Sequence, residues 1–296
     1  MADAQGTYTS YFGSGLVSQI LTALAVIVIL YLSLATGEYM YNTFMGLWNS
    51  RLELFPNTYA SSGKMYTAVQ DPSSSKPLTI TMSTNQRSGI EFSYSMFINI
   101  NSTTFSNSNS DTSLHHILHK GYNLPYPLLG PGIFCFGSAN TLRVYMNCYN
   151  TWNSYTDIPN IPVDKWFHIV VSCKGNTLYV YINGSLKNKM ALASNTPPYQ
   201  NYGNVYLFSP RKMTVPTSAV SLVPDSNLGS STASSPLTFS GAARGMVSRV
   251  YYYSYALTSS EIQTLMNMGP SPNMNGADMS ISPYLADTWW TNSQVG

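Results

Sequence analysis

Charge is what this sequence has least of. Asp, Glu, Lys and Arg make up 9% of its 296 residues, against about 25% in an average soluble protein. With a net charge of +2 and no basic block, the electrostatic footprint of nucleic-acid binding is missing, which excludes nucleic acid as a partner. The surface must be built from Ser, Thr, Asn and Tyr. Such a surface repels other proteins weakly and suits a chain packed against neighbours. Glutamate is scarcer still: Glu38, Glu53, Glu91 and Glu261 stand far apart. Glycoside hydrolysis with retention needs two carboxylates about 5.5 Å apart on one face, and no Glu-x-Asp-x-Glu stretch supplies them. A nucleophile elbow, a phosphate loop and a zinc signature are also missing. The expectation is a non-enzymatic protein without a cofactor.

Cysteine is limited to Cys135, Cys148 and Cys173. All three fall in strand-like stretches, where thiols read as small buried hydrophobes, and this usage is compatible with a reducing compartment. His115, His116 and His119 test poorly as a metal site. They precede Lys120-Gly121 in a strand pattern, with no fourth ligand and no HExxH arrangement. Asp111, Asp157, Asp164 and Asp225 are too scattered for a calcium cage and read as turn caps. Two sequons occur, Asn101-Ser102-Thr103 and Asn183-Gly184-Ser185, the second inside a tight hairpin where Asn-Gly has a structural use.

Long apolar runs are present once. No charge occurs between Asp3 and Glu38, and Leu16 to Ala35 reads LVSQILTALAVIVILYLSLA. As a helix, twenty residues span about 30 Å, the thickness of a bilayer core. The reading is a transmembrane helix over 16–36, with Leu16, Leu21, Val26, Ile29 and Leu32 among its lipid-facing residues. Residues 1–15 lack the basic n-region of a signal peptide, so an uncleaved anchor is expected. The first Lys or Arg is Arg51, so the positive-inside bias assigns no orientation.

From Glu38 to Phe55, Met40, Phe44, Leu47, Trp48, Leu52 and Phe55 recur at helical spacing. Tyr39, Tyr41 and Trp48 suit the headgroup level. This stripe is either an interfacial extension of the anchor or a face packed on the following domain, and Pro56 ends it. Residues 37–76 are thus a juxtamembrane helix and linker, the stretch rich in Ser, Gly and Pro completing it.

Beyond it, period-two alternation dominates. Leu78, Ile80 and Met82 suggest an edge strand, and Ile90, Phe92, Tyr94, Met96 and Ile98 a strong one. Asn99 to Ser113 reads as an exposed loop. Tyr122 to Gly132 is a Pro- and Gly-rich loop able to carry binding, and Ile133–Phe136 with Leu142–Met146 form a hairpin. Tyr122, Trp152 and Tyr155, with Asn150 and Asn153, make an aromatic and amide platform that suits a sugar ring or a protein partner equally. Asp164 to Lys187, DKWFHIVVSCKGNTLYVYINGSLK, gives three antiparallel strands in a row, with Asn183-Gly184 as a type I′ turn. Val205–Phe208 is a further strand. The loop from Ser209 to Pro236 is long enough to be functional or disordered. Gly245–Tyr253 is the closing strand. Thr258-Ser259-Ser260-Glu261 is a capping box before a helix that buries Ile262, Leu265 and Met266, with Gly269-Pro270 as its stop.

Two of these stretches carry a resemblance. Trp-x-His-Ile-x-Val, a Gly turn and Leu-Tyr-Val-Tyr-Ile-Asn-Gly, together with GMVSRVYYYSYALTSSEIQTLMNMG from Gly245 to Gly269, resemble the central hairpins and the last strand and closing helix of laminin-G-like domains in the concanavalin A-like lectin/glucanase superfamily. Ile117-Leu118-His119-Lys120-Gly121 resembles an early strand end of that fold. The resemblance spans about Ser88 to Gly269. It implies a mainly β, two-sheet antiparallel jelly-roll sandwich over 77–269, with one N-terminal transmembrane helix and a short C-terminal closing helix. That fold hosts lectins, glycosidases and structural modules, so it does not fix function.

The tail over 270–296 has no periodic pattern and carries Tyr284, Trp289 and Trp290 as candidate docking residues. Anchor, jelly roll and aromatic tail together are similar to membrane-anchored minor capsid proteins of large icosahedral DNA viruses. That similarity implies a virion location between an inner membrane and the capsid, with membrane lipid and capsid or membrane-associated proteins as partners. The alternative is a membrane-anchored lectin whose partners are glycans. A degenerate glycosidase ranks third.

Overall fold

The computed structural model describes residues 15–49, 51–74, 77–83, 90–106, 111–149, 154–192, 196–216 and 236–275. The chain forms two compact units, Met1–Ser50 and Arg51–Gly296.

The first unit is one helix, α1, over Leu16–Asn49. Its stretch Gln19–Tyr41 has a mean hydropathy of 2.4 and is long and apolar enough to cross a membrane, as an anchor or a signal sequence would be. Leu21, Val26, Ile29 and Leu32 are all exposed. Leu16 opens the helix, but its side chain lies outside the described residues. The serine and threonine hydroxyls within the span donate back along the helix: Thr22 Oγ1 to the Gln19 carbonyl at 2.9 Å, Ser33 Oγ to that of Leu30 at 2.8 Å and Thr36 Oγ1 to that of Leu32 at 2.8 Å.

The second unit is a mainly β sandwich. One sheet runs β1 (Arg51–Ala60), β14 (Gly245–Tyr253), β3 (Glu91–Ile100), β8 (Trp166–Lys174), β9 (Thr177–Ile182) and β10 (Ser185–Ala191). The other runs β12 (Lys212–Val215), β13 (Leu237–Ala242), β4 (Leu114–Gly121), β5 (Gly132–Phe136), β6 (Leu142–Met146) and β7 (Ser154–Ile158). β11 (Asn204–Leu207) pairs with β4 and with β2 (Tyr66–Ala68). Pairing is antiparallel except between β13 and β4, and the whole has the two-layer architecture of a jelly roll. The alternation that marks the strands also fills the core. Phe92, Tyr94, Met96 and Ile98 of β3 and Phe167, Ile169, Val171 and Cys173 of β8 meet Ile133, Cys135, Val144, Met146, Val205 and Leu207 of the facing sheet. Cys135, Cys148 and Cys173 are free and buried, and burial pushes the Cys135 thiol up to about 12.

The outer face of the first sheet is lined by buried serines, Ser93, Ser95, Ser172 and Ser248. Their small size admits the C-terminal segment: Leu257 N–H donates to Ser93 Oγ at 3.0 Å, and Ser271 N–H to Ser248 Oγ at 2.8 Å. Between these contacts lies α2, Ser259–Asn267, capped by Thr258 and Glu261 as its capping box requires. Ile262 and Leu265 are buried, and Met266 only partly so.

Four sequence expectations need correction. The stripe ending in Leu52 and Phe55 is not helical to Pro56. α1 ends at Asn49, and β1 passes straight through Pro56. Proline is tolerated there because β1 is an edge strand with irregular register around it, between Glu53 and Phe55 and between Phe55 and Thr58. The supposed linker contains the end of β1 and all of β2. Leu78, Ile80 and Met82 form no ladder; glutamine side chains hold the segment instead, the Ile80 N–H donating to Gln70 Oε1 at 3.3 Å and the Ser83 N–H to Gln200 Oε1 at 3.1 Å. Finally, the tail is not featureless from residue 271. Thr58 N–H donates to the Asn273 carbonyl and Asn275 N–H to the Thr58 carbonyl, each at 2.8 Å, so Ser271–Asn275 lines the β1 edge.

Candidate functional site

One end of the sandwich gathers three loops. β4 ends at Gly121 opposite Asn204 of β11, and Gly132 of β5 lies opposite Tyr145 of β6. The loops 122–131, 147–149 and 198–203 therefore converge. None of them contains a charged residue. Asn147 pins the first: its N–H donates to the Leu129 carbonyl at 2.8 Å, its Oδ1 accepts from Leu129 N–H, and its Nδ2 donates to the Pro127 carbonyl at 3.2 Å. Tyr199 N–H donates to the Asn147 carbonyl at 2.7 Å, tying in the third loop. A Cβ at Gly203 would collide with the Gly121 carbonyl, so only glycine permits this approach.

Lys120 sits beneath these loops, 5% exposed. Its ammonium donates to the Asn201 carbonyl, to Asn201 Oδ1 at 3.3 Å and to the Gly203 carbonyl at 3.2 Å. Burial pulls its pKa down to about 8. It lines a cleft with Phe92, Tyr94, Tyr252, Asn201 and Tyr202, of about 20 Å³. That is room for one water. Three carbonyl oxygens use all three ammonium donors, so Lys120 is a clamp between β4 and the 198–203 loop.

The histidines are strand residues, as their sequence context suggests. Ser209 N–H donates to His116 Nδ1 at 2.9 Å, which fixes that nitrogen as the acceptor. His116 Nε2–H then donates to His119 Nδ1 at 2.6 Å, and His119 Nε2–H to the Tyr122 carbonyl at 2.7 Å. Every ring nitrogen of the pair is satisfied only when both rings are neutral. Burial holds His116 well below its ordinary pKa and His119 down at about 4. The relay runs from the core to the first residue of the 122–131 loop.

The loop cluster is where the sandwich shows apolar surface. Tyr122, Leu124, Tyr149 and Tyr202 are 68%, 46%, 61% and 79% exposed. Among the described residues of the sandwich, Leu186 is the one other large apolar side chain so exposed. Tyr149 meets Tyr199 edge-on at 5.3 Å.

A second surface lies on the outer face of the β4–β7 sheet. Arg143 Nε and Nη2 donate to Asp157 Oδ1 and Oδ2, both at 2.7 Å. The guanidinium also lies 3.8 Å from the Tyr155 ring centroid and 4.7 Å from that of Phe136. Burial works against the Arg143 charge, yet Asp157 and Tyr145 together more than offset this and raise its pKa. Phe134, Tyr145 and Phe239 continue the aromatic layer below.

The structure thus separates two residues that the sequence groups together. Tyr122 belongs to the loop end, whereas Tyr155 is on β7, three strands from β4. Trp152, Asn150 and Asn153 lie outside the described residues, as do Tyr284, Trp289 and Trp290. Sequence reasoning missed Leu124, Tyr149, Tyr202, Lys120 and Arg143. The uncharged TPPYQNYGN run from Thr196 to Asn204 resembles the 122–132 loop in composition and was the available signal.

The family model of the concanavalin A-like lectin/glucanases superfamily matches residues 72–212. No curated protein sequence matches the chain. Among solved structures, the binding domain of botulinum neurotoxin serotype G is 14% identical with a TM-score of 0.45, the match covering 74% of this chain and 42% of that one. A Trypanosoma rangeli sialidase with 2,3-difluorosialic acid as a covalent intermediate is 17% identical with a TM-score of 0.38, covering 60% of this chain and 22% of that one. The chain therefore matches about a fifth to two fifths of the length of these proteins.

Proposed function

We propose that this protein is a non-enzymatic, membrane-anchored structural module, with α1 as the anchor and the sandwich as a docking body. In its finer form, the reading is a minor capsid component tying an inner membrane to a protein shell. The observation that carries it is the commitment of the acidic side chains. Each one described in the sandwich has a structural partner: Glu53 with Arg51, Asp71 with Ser73, Glu91 with Lys174 and the Ala256 N–H, Asp111 with Ser113, Asp157 with Arg143, Asp164 with the Ser102 N–H, and Glu261 in the α2 cap. A carboxylate pair available for hydrolysis would have to break such contacts. The half-buried Phe136, Arg143 and Tyr155 face offers the residue types that anchor protein interfaces.

The test is cross-linking mass spectrometry on membranes or particles containing the full chain, beside a truncation after Asn275 that keeps the Ser271–Asn275 pairing. Cross-links from the outer face of the β4–β7 sheet to a shell protein, lost in the truncated chain, are expected. A chain with no protein neighbour would refute the docking role. The superfamily match and the exposed tyrosines also favour a lectin reading, for which retention on a glycan array is the expected result.

A further inference from the structure

We infer that the pairing of β1 with Ser271–Asn275 is a shear joint that carries tension between α1 and the C-terminal tail. The inference rests on the reading of this chain as a tether, with α1 as its anchor and residues 276–296 needed for docking. A tether is loaded where the chain leaves the folded body, at one exit towards each end. Chain from α1 enters the sandwich at Arg51, the first residue of β1, after the single residue Ser50. Among the described residues, Asn275 is the last one held against the β1 edge. The two exits therefore leave from segments that touch each other.

Chain direction decides how the load falls. The bridge between Thr58 and Met274 is parallel, the Thr58 N–H donating to the Asn273 carbonyl and the Asn275 N–H to the Thr58 carbonyl, each at 2.8 Å. β1 is thus pulled from its Arg51 end, and Ser271–Asn275 from the opposite end, where β1 finishes at Ala60. Parallel segments pulled from opposite ends slide along each other, so every bond between them stretches at once. An antiparallel segment would cover the same edge, but both exits would then lie at one end and the bonds would break one by one. Resistance to forced unfolding is set by the rate of crossing the unfolding barrier, and bonds that must fail together raise that barrier.

The centre of the joint is dry and tied sideways. Thr58 and Ser248 are fully buried and Ser271 nearly so. Thr58 Oγ1 donates to the Ser271 carbonyl at 2.7 Å and is hydrogen-bonded to Ser248 Oγ at 2.8 Å, while the Ser271 N–H donates to Ser248 Oγ at 2.8 Å. With water kept out, a bond stretched under load finds no solvent partner to replace it. Ser248 belongs to β14, so these hydroxyls pass load from the outer segment across β1 to the next strand. β14 in turn holds β1 along its length, from Arg51 opposite Tyr253 to Ala60 opposite Met246.

Single-molecule force spectroscopy on the full chain in phosphatidylcholine nanodiscs tests the joint, with one handle at Gly276→Cys and the other at Ser50→Cys or Ser62→Cys. The native thiols are buried and do not compete for the handles. Pulling between 50 and 276 loads the contact in shear. Pulling between 62 and 276 peels it from one end, because Ser62 turns back onto β1, its N–H donating to the Ala60 carbonyl at 3.0 Å. The first rupture should need several-fold more force in shear than in peeling. Asn275→Pro, which deletes the N–H that reaches Thr58, should bring the shear force down towards the peeling value. Equal forces in the two geometries overturn the joint and leave the anchor and docking reading untouched. Unequal forces in a chain that cross-links to no partner overturn the tether, and with it the load the joint carries.

Discussion

Substitution of His119 by glutamine should flatten the acid limb of the stability curve. In the unfolded chain this imidazole titrates near 6.5, and in the folded chain burial holds it neutral down to about 4. Above pH 6.5 the ring is neutral in both states and acid costs nothing. Between 6.5 and 4 the unfolded state binds a proton that the folded state refuses, so stability falls with pH across that window and levels off below it. For these two values the loss is about 2 kcal/mol at pH 5 and about 3 kcal/mol once the window is crossed. His168, held at about 4 by burial, adds a similar loss over the same range. Asp71 and Asp111 lie below their ordinary value of 3.8, so their contributions disappear at lower pH and do not interfere. A glutamine at 119 can accept from His116 and donate to the Tyr122 carbonyl without titrating. Thermal unfolding of the detergent-solubilised chain at pH 7.0 and 5.0 measures the effect. Relative to wild type, the variant should lose about 4–8 °C less between the two pH values. Identical acid losses in both proteins would refute the neutral relay.

Gly203→Ala should destabilise the sandwich by about 3 kcal/mol, because the Cβ meets the Gly121 carbonyl and backbone must move; an unchanged denaturant midpoint would contradict the close approach. Thr258→Ala removes the α2 cap and should cost about 1 kcal/mol by the same measurement, with Thr258→Ser restoring most of it. Asp157→Ala leaves the largely buried Arg143 guanidinium without its carboxylate and should cost about 2 kcal/mol. The double variant with Arg143→Met should recover part of that loss, and a double variant worse than the single one would show that the rings alone hold the cation.

How much of the fold can be read from sequence depends on how local its determinants are. In β8 to β10, alternation and turn chemistry agree, and Asn183 and Gly184 adopt the positive φ angles, 48° and 74°, that a type I′ turn demands. The α2 cap is local in the same way. β1 is not: Leu52 and Phe55 continue the helical spacing of Met40, Phe44, Leu47 and Trp48 in α1, and only pairing with β14, almost two hundred residues later, makes this stretch a strand. Pro56 then reads as a stop, although an edge strand with irregular register accommodates it. The Leu78–Met82 alternation fails for the opposite reason: among the described residues no strand pairs with it, and its backbone is held by the Val69 carbonyl and the side chains of Gln70 and Gln200.

The loop end was legible only as separate pieces. Tyr122 and Tyr202 are brought together by the Gly121–Asn204 pairing, and Tyr149 by the bridge between Cys148 and Pro198. The same topology puts the Arg143 face on the flank of the sheet and the tyrosines at its end, with no residue shared between them. If the sheet face meets a protein shell, the loop end should be dispensable for that contact. Tyr202→Asn combined with Tyr149→Asn should leave partner cross-links from the sheet face intact. Phe136→Ala should weaken those cross-links. Effects on separate surfaces add, so a tyrosine variant that also abolished partner capture would show the loop end, rather than the sheet face, to be the protein interface.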